Sequence, residues 1–147
     1  MNQFEYTDIH RLKHIVWNSR FSYGALLCKK TIYIVNKSFN VIGTIQEKFN
    51  VTSAAWNVDD VLLYTTQNHL KYSLLNGDFG LLQCLESPIY LITVKDSQAI
   101  TIDKDAKIEV LTFRKEDYLF KLALFLKDIK RVKTLISYIK IFYFLKI

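Results

Sequence analysis

An internal repeat constrains this chain more than any other feature. Trp17 stands in His14-Ile15-Val16-Trp17-Asn18, and Trp56 stands in Ser53-Ala54-Ala55-Trp56-Asn57, 39 residues further on. A short polar stretch and three apolar runs follow each tryptophan. In the first copy the runs are Ala25-Leu26-Leu27-Cys28, Thr31-Ile32-Tyr33-Ile34-Val35 and Val41-Ile42-Gly43-Thr44-Ile45. In the second they are Val61-Leu62-Leu63-Tyr64, His69-Leu70-Lys71-Tyr72-Ser73-Leu74 and Gly80-Leu81-Leu82-Gln83-Cys84-Leu85. A third, more compact copy uses Ile89-Tyr90-Leu91-Ile92-Thr93-Val94, Ala99-Ile100-Thr101-Ile102 and Lys107-Ile108-Glu109-Val110-Leu111-Thr112-Phe113. Short runs rich in β-branched and aromatic residues, bounded by turn formers, read as strands. The separators are Asn36-Lys37-Ser38, Asn57-Val58-Asp59-Asp60, Asn76-Gly77-Asp78 and Asp103-Lys104-Asp105. Asn and Asp there bond their own backbone, and Asn-Gly tolerates the positive φ of a tight hairpin.

Four short strands every ~40 residues is the period of propeller blades. One such sheet leaves both faces open and must stack between neighbours. The expected fold is mainly β with C-terminal α: a partial β-propeller of about two to three WD40-like blades over residues 1–113, then a solenoid-type helix or helices over 114–147. A seven-bladed ring needs about 280 residues at this period, so 147 residues read as a fragment of one.

The periodicity changes at Phe113. Glu116 and Asp117 suit a first helical turn, where the backbone dipole is positive. Leu119, Leu122, Ala123, Leu126 and Ile129 then fall on one face of a 3.6-residue period, with Lys121, Lys127 and Lys130 off it. Val132, Leu135, Ile136, Ile139, Phe142 and Tyr143 prolong the pattern. With no Gly or Pro between them, one long helix or a helix pair fits. The spacing predicts a helix over 117–130, with its apolar face against the last blade around Val110 and Phe113.

Charge separates the same two regions. Residues 1–113 carry 11 basic and 11 acidic side chains, so the whole net charge of +6 lies on residues 114–147. A neutral repeat region offers no nucleic-acid field. Half the residues are hydrophobic, against 4 Gly and 1 Pro, which argues against a disordered or linker-like chain. Cys28 and Cys84 sit in apolar runs as small hydrophobes, with a disulfide the minor reading. The start, Met1-Asn2-Gln3-Phe4-Glu5-Tyr6, has neither the basic residues nor the apolar run of a signal peptide. No stretch reaches the roughly 20 apolar residues of a membrane span. The expectation is a protein of a reducing compartment.

Candidate sites resolve mainly into packing. Trp17 and Trp56 recur beside small or apolar neighbours, which favours blade-to-blade packing over a ligand platform. His69, beside Asn68 and Lys71, lacks a metal-like Cys/His partner set. His10 and His14 belong to another blade, so His69 reads as a structural hydrogen-bonding residue. Asp59-Asp60, Asp78, and Asp103 with Asp105 fall on turns rather than in a converging catalytic pair. Phosphate loops, nucleophile elbows and His-Glu-x-x-His are absent from the sequence. No catalytic residue, cofactor or metal is expected. Lys127, Lys130, Arg131 and Lys133 suit a solvated helix face first, an acidic partner helix second and an anionic membrane surface third.

Several words in order now resemble a family: the alpha subunit of the COPI coatomer, at the end of its second propeller and the entry to its α-solenoid. Lys13-His14-Ile15-Val16-Trp17 is similar to Lys-His-Val-Val-Trp, and Val51 through Ser53-Ala54-Ala55-Trp56 to Val-Lys-Ser-Gly-Ala-Trp, with Ala54 replacing the family's glycine. Tyr64-Thr65-Thr66-Gln67-Asn68-His69-Leu70-Lys71-Tyr72 resembles Tyr-Thr-Thr-x-Asn-His-Ile-Lys-Tyr. Gly77-Asp78-Phe79-Gly80 and Pro88-Ile89-Tyr90-Leu91 continue the match. Phe120-Lys121-Leu122-Ala123-Leu124 resembles the first solenoid helix. Beyond about residue 125 the match fades, as in a divergent or truncated solenoid start.

The resemblance implies a non-enzymatic structural segment of the COPI coat, in retrograde Golgi-to-endoplasmic-reticulum and intra-Golgi transport. It implies beta-prime and epsilon coatomer subunits as partners and recruitment by an Arf-type GTPase. It places the protein in the cytoplasm, peripheral on Golgi membrane and coated vesicles, with no nucleic acid and no small-molecule substrate. Trp17, Trp56, Tyr64, His69, Tyr72 and Tyr90 are the expected blade-packing residues. The dilysine-reading first propeller of that family has no counterpart in this sequence. The alternatives are a peptide-binding WD-repeat module outside the coat, the related beta-prime subunit, and nucleic-acid binding through the basic tail. Steep salt dependence would mark the last of these.

Overall fold

The computed structural model describes residues 11–145. The readings placed on residues 1–6 and on His10 lie outside the described residues, as does the side chain of Phe142. Eleven strands and two helices follow in order among the described residues. Blade 1 is β1 (His14–Trp17), β2 (Tyr23–Leu27), β3 (Thr31–Asn36) and β4 (Val41–Gln46). Blade 2 is β5 (Val51–Trp56), β6 (Leu62–Thr66), β7 (His69–Ser73) and β8 (Phe79–Cys84). Blade 3 is β9 (Ile89–Lys95), β10 (Gln98–Asp103) and β11 (Ile108–Thr112). Each sheet is an antiparallel meander in sequence order. The chain is mainly β, with a propeller-type arrangement of sheets and two C-terminal helices.

One turn chemistry shapes the hairpins. Asn18, Asn36, Asn57 and Asp103 each accept two backbone N–H bonds from their own turn through Oδ1, at 2.8–3.1 Å. Three residues further on, the backbone enters the left-handed region at Phe21, Phe39, Asp60 and Ala106, with φ of 53° to 63°. The side-chain oxygen satisfies N–H groups that a sharp turn takes out of the ladder. Gly77 takes the left-handed position in the turn opened by Leu74, at φ +85°.

Bulges repeat as well. Ile42 in β4 and Leu82 in β8 are the unopposed residues of the two outer strands. Thr52 in β5 and Ile92 in β9 hold that place in two inner strands, whereas β1 pairs without a shift. Such extra residues strengthen local twist.

Neighbouring sheets meet through β5, which touches β1 and β2 on one side and β9 on the other. Ala25, Leu27, Ile32, Ile34 and Ile45 of blade 1 form a single core with Ala54, Trp56, Leu62 and Tyr64 of blade 2. At the rim the approach is backbone on backbone. A Cβ at Gly43 would lie 2.6 Å from Gly77 N and nearer still to Leu75 O, so no other residue fits there without movement.

The chain divides into two compact units, one ending at Arg114 and one beginning at Lys115. In the second, α1 (Glu116–Phe125) packs on α2 (Ile129–Phe144). This corrects the expected single helix over 117–130. Lys127 turns left-handed at φ 56°. Its N–H bonds Leu124 O at 3.0 Å and the Asp128 N–H bonds Ala123 O at 2.9 Å, the double bond pattern that usually ends a helix on glycine. Asp128 Oδ1 then accepts the Arg131 N–H at 3.0 Å and caps α2. Tyr118, Leu122 and Ala123 are buried, but Leu126 is 58% exposed. Val110 in the first unit is also 58% exposed, so neither of these two supplies the covered apolar face that was expected of them.

A left-handed lysine pays a steric penalty that glycine avoids. Lys127→Gly should therefore stabilise the helix pair by about 0.5–1 kcal/mol. The readout is greater hydrogen-exchange protection of amides 122–133; unchanged or lower protection would contradict the αL assignment.

Candidate functional site: the seams between sheets

The polar groups of this domain concentrate where one sheet meets the next. Glu47 lies in the connection from β4 to β5 and is 5% exposed. Its Oε1 accepts the Tyr64 hydroxyl at 2.6 Å and the Lys71 ammonium at 2.7 Å. Tyr64 is fully buried, and Lys71 also lies over the Phe79 ring, 5.2 Å from its centre. One carboxylate thus ties a blade connection to two adjacent strands of blade 2. Burial, then the bond to Glu47 and its negative charge, push the Tyr64 phenol well above its ordinary value.

That direction fixes a pH dependence. The unfolded chain loses the Tyr64 proton near pH 10, while the folded chain keeps it. Stability contributed by this group is full below about pH 10 and falls as pH rises above it. The wild type should lose stability between pH 10 and 11.5 more steeply than Tyr64→Phe, by about one proton in the slope. Equal slopes in urea melts across that range would show that Tyr64 is not held protonated.

Two further links cross the first seam. Trp56 is 9% exposed, and its indole N–H donates to Val16 O at 2.8 Å. Asn18 Nδ2 donates to Asp60 Oδ1 at 2.8 Å, and Arg20 pairs with Asp60 Oδ2. Asp60 therefore reaches into the neighbouring blade, which corrects its assignment as a residue serving only its own turn. At the second seam Ser53 Oγ accepts the Leu91 N–H at 2.8 Å.

The other singled-out residues fall as follows. Trp17 is half-buried and meets Phe39 edge-on, with ring centres 5.6 Å apart. His69 is half-buried, with Nδ1 3.3 Å from Thr66 Oγ1 and its ring 6.0 Å from that of Phe49. Tyr72 is 3% exposed and covers Gly80, where a Cβ would lie 2.7 Å from the ring. Tyr90 differs from the packing role expected of it: it is 45% exposed, because the pleat turns Leu91 inward instead. Cys28 is buried, which raises its thiol pKa, and Cys84 is exposed; both are free. Asp103 and Asp105 stay within their turn. Among the described residues no group of three or more His, Cys, Asp or Glu side chains converges.

Lys127 occupies the interhelix turn, while Lys130, Arg131 and Lys133 open α2. All four are exposed. A groove of about 250 Å³ runs past Gln83, Cys84 and Glu86 to Thr101, Glu109 and Val110. Glu109 is paired with Lys107 there.

The sequence reading missed Glu47, Asn18 and Ser53. The asparagines carried a signal, since Trp17-Asn18 and Trp56-Asn57 repeat as pairs. Glu47 carried none: an acid beside a lysine in a connection reads as solvated.

Antiparallel sheets that share a core around Trp56, with Gly43 and Gly77 in close backbone approach at the rim, define a propeller-type scaffold. The family model for the COPA/B second beta-propeller matches residues 2–103, and the chain belongs to that family. It is 40% identical over 130 residues to the putative coatomer subunit alpha of Schizosaccharomyces pombe, which covers 88% of this chain and 11% of that protein. It is 36% identical over 129 residues to coatomer subunit alpha of Saccharomyces cerevisiae, with the same two coverages. The chain thus spans about a tenth of the length of these relatives. Among solved structures, the computationally designed Ika4 protein matches 70% of this chain and 66% of its own, with a TM-score of 0.54 and 14% identity. The N-terminal domain of Nup159 matches 69% of this chain and 34% of its own, with a TM-score of 0.52 and 10% identity. These last two likenesses concern the fold alone. Among the described residues, no helix is long and apolar enough to cross a membrane.

Proposed function

We propose that this chain is a structural segment of the COPI vesicle coat, working in retrograde Golgi-to-endoplasmic-reticulum and intra-Golgi transport. The observation that carries the reading is membership of the COPA/B second-propeller family, together with alpha-subunit relatives at 36–40% identity. Its role is geometric and not catalytic. The Trp56 bond and the Asp60 link hold blade 2 against blade 1, the Glu47 hub ties the connection between them to blade 2, and Ser53 holds blade 3 against blade 2. A rigid stack of this kind suits holding a helical arm, residues 115 onward, in a lattice.

On this reading the partners are other coatomer subunits, beta-prime and epsilon, with recruitment to Golgi membrane by an Arf-type GTPase. The protein is cytoplasmic and peripheral on the membrane. Lys127, Lys130, Arg131 and Lys133 offer their charge to an acidic partner or to solvent. Affinity purification of the native protein followed by mass spectrometry tests the proposal. Recovery of beta-prime and epsilon subunits is expected, and recovery of only ribosomal or nuclear proteins would overturn it.

A further inference from the structure

The zero net charge of residues 1–113 covers an uneven distribution. Antiparallel pairing puts successive hairpins of a blade at opposite ends of its strands. At one end of blades 1 and 2 lie the connections 28–30, 47–50 and 67–68, and at the other lie 18–22, 37–40, 57–61 and 74–78. The second set carries Arg20 and Lys37 against Asp59, Asp60 and Asp78. The first carries Lys29, Lys30 and Lys48 against Glu47 alone. Glu47 does not neutralise those lysines, because it is 5% exposed and already holds the ammonium of Lys71 from β7. All three lysines are exposed, and among the described residues no ion pair reaches them.

The backbone gathers these residues into one place. The Glu47 N–H bonds Lys30 O at 2.7 Å and the Val51 N–H bonds Lys29 O at 2.9 Å. The hairpin with two lysines is thereby clamped to the loop that carries the third. Phe49 stands in that same loop, 53% exposed, with its ring against that of the half-buried His69. An aromatic side chain is thus held out among three unbalanced cations. Blade stacking covers sheet faces and leaves the strand ends open, so neighbouring blades do not close this surface.

We propose that this end of blades 1 and 2 binds an acidic peptide segment, with carboxylates against Lys29, Lys30 and Lys48 and one apolar side chain on Phe49 beside His69. Charge complementarity selects the partner. A single exposed aromatic among three cations matches one apolar residue flanked by acids. An anionic bilayer calls for a broader apolar face. A nucleic acid calls for a longer positive track along its phosphates. Glu86, exposed in the connection toward blade 3, bounds the site, since it repels an acidic chain there.

Fluorescence anisotropy of a labelled Glu-Glu-Glu-Trp-Glu-Glu-Glu peptide with the full 147-residue chain tests this at low salt. Saturable binding is expected, and its loss when glutamine replaces every glutamate. Lys48→Glu should weaken binding by roughly tenfold with an unchanged circular dichroism spectrum. Should that variant fold poorly, Lys29→Glu serves in its place. Phe49→Ser should also weaken binding while leaving the charge intact. Lys37→Glu, at the opposite end of the strands, and Lys130→Glu, on α2, should leave it unchanged. The proposal is overturned if the wild type does not bind, or if Lys37→Glu or Lys130→Glu costs as much as Lys48→Glu. It is equally overturned if Lys48→Glu abolishes binding to phosphatidylserine vesicles or duplex DNA instead of to the peptide.

Discussion

Trp56→Ala is expected to lower the stability of the sheet stack by about 3–5 kcal/mol. The indole is 9% exposed inside the core shared by blades 1 and 2, so its removal leaves a cavity between two sheets and not a dent in one. The substitution also removes the indole N–H bond to Val16 O, 2.8 Å long. Trp56→Phe should lose less, because it keeps most of the contact area and gives up mainly the hydrogen bond, worth about 1 kcal/mol. Urea titration at 25 °C separates the two, since the midpoint should move while the slope stays constant. A loss below about 1 kcal/mol for the alanine variant would show that the seam does not depend on this side chain.

Glu47→Ala should cost a similar amount, about 3–5 kcal/mol, for a different reason. The substitution deletes little apolar area. It strands the Lys71 ammonium and the Tyr64 hydroxyl, both of which now point at one carboxylate oxygen. The combined replacement Glu47→Leu with Lys71→Met should recover much of the loss, because apolar residues of similar volume replace a buried ion pair at little net cost. If the double variant is as unstable as Glu47→Ala alone, the stranded charge is not the cause.

These two residues also mark how far the sequence could be read. Trp56 was legible because a large aromatic that recurs at a fixed interval has few roles other than packing. The strands were legible for the same kind of reason: short alternating runs bounded by Asn, Asp and Gly leave little choice. Glu47 was hidden because its burial follows from the neighbouring strand closing over a connection, which no local pattern encodes. Tyr90 was misassigned because aromatic content alone does not reveal which way a pleat turns. The break at Lys127 was invisible because the usual sign of a left-handed helix end is glycine. A capping aspartate one residue later was the remaining clue.

The bulges described in the fold bear on how this chain avoids folding wrongly. Successive blades are similar enough that a strand from one could pair into the next, a common failure of repeat proteins. β5 and β9 carry an unopposed residue in their inner strand, but β1 does not. Exchanging β1 for β5 would therefore put the pairing out of phase by one residue along part of its length. In a sheet with two occupied faces a slip of one residue turns each affected side chain to the wrong side. The irregularity thus distinguishes β1 from β5, so that the inner strands of blades 1 and 2 are not interchangeable during folding.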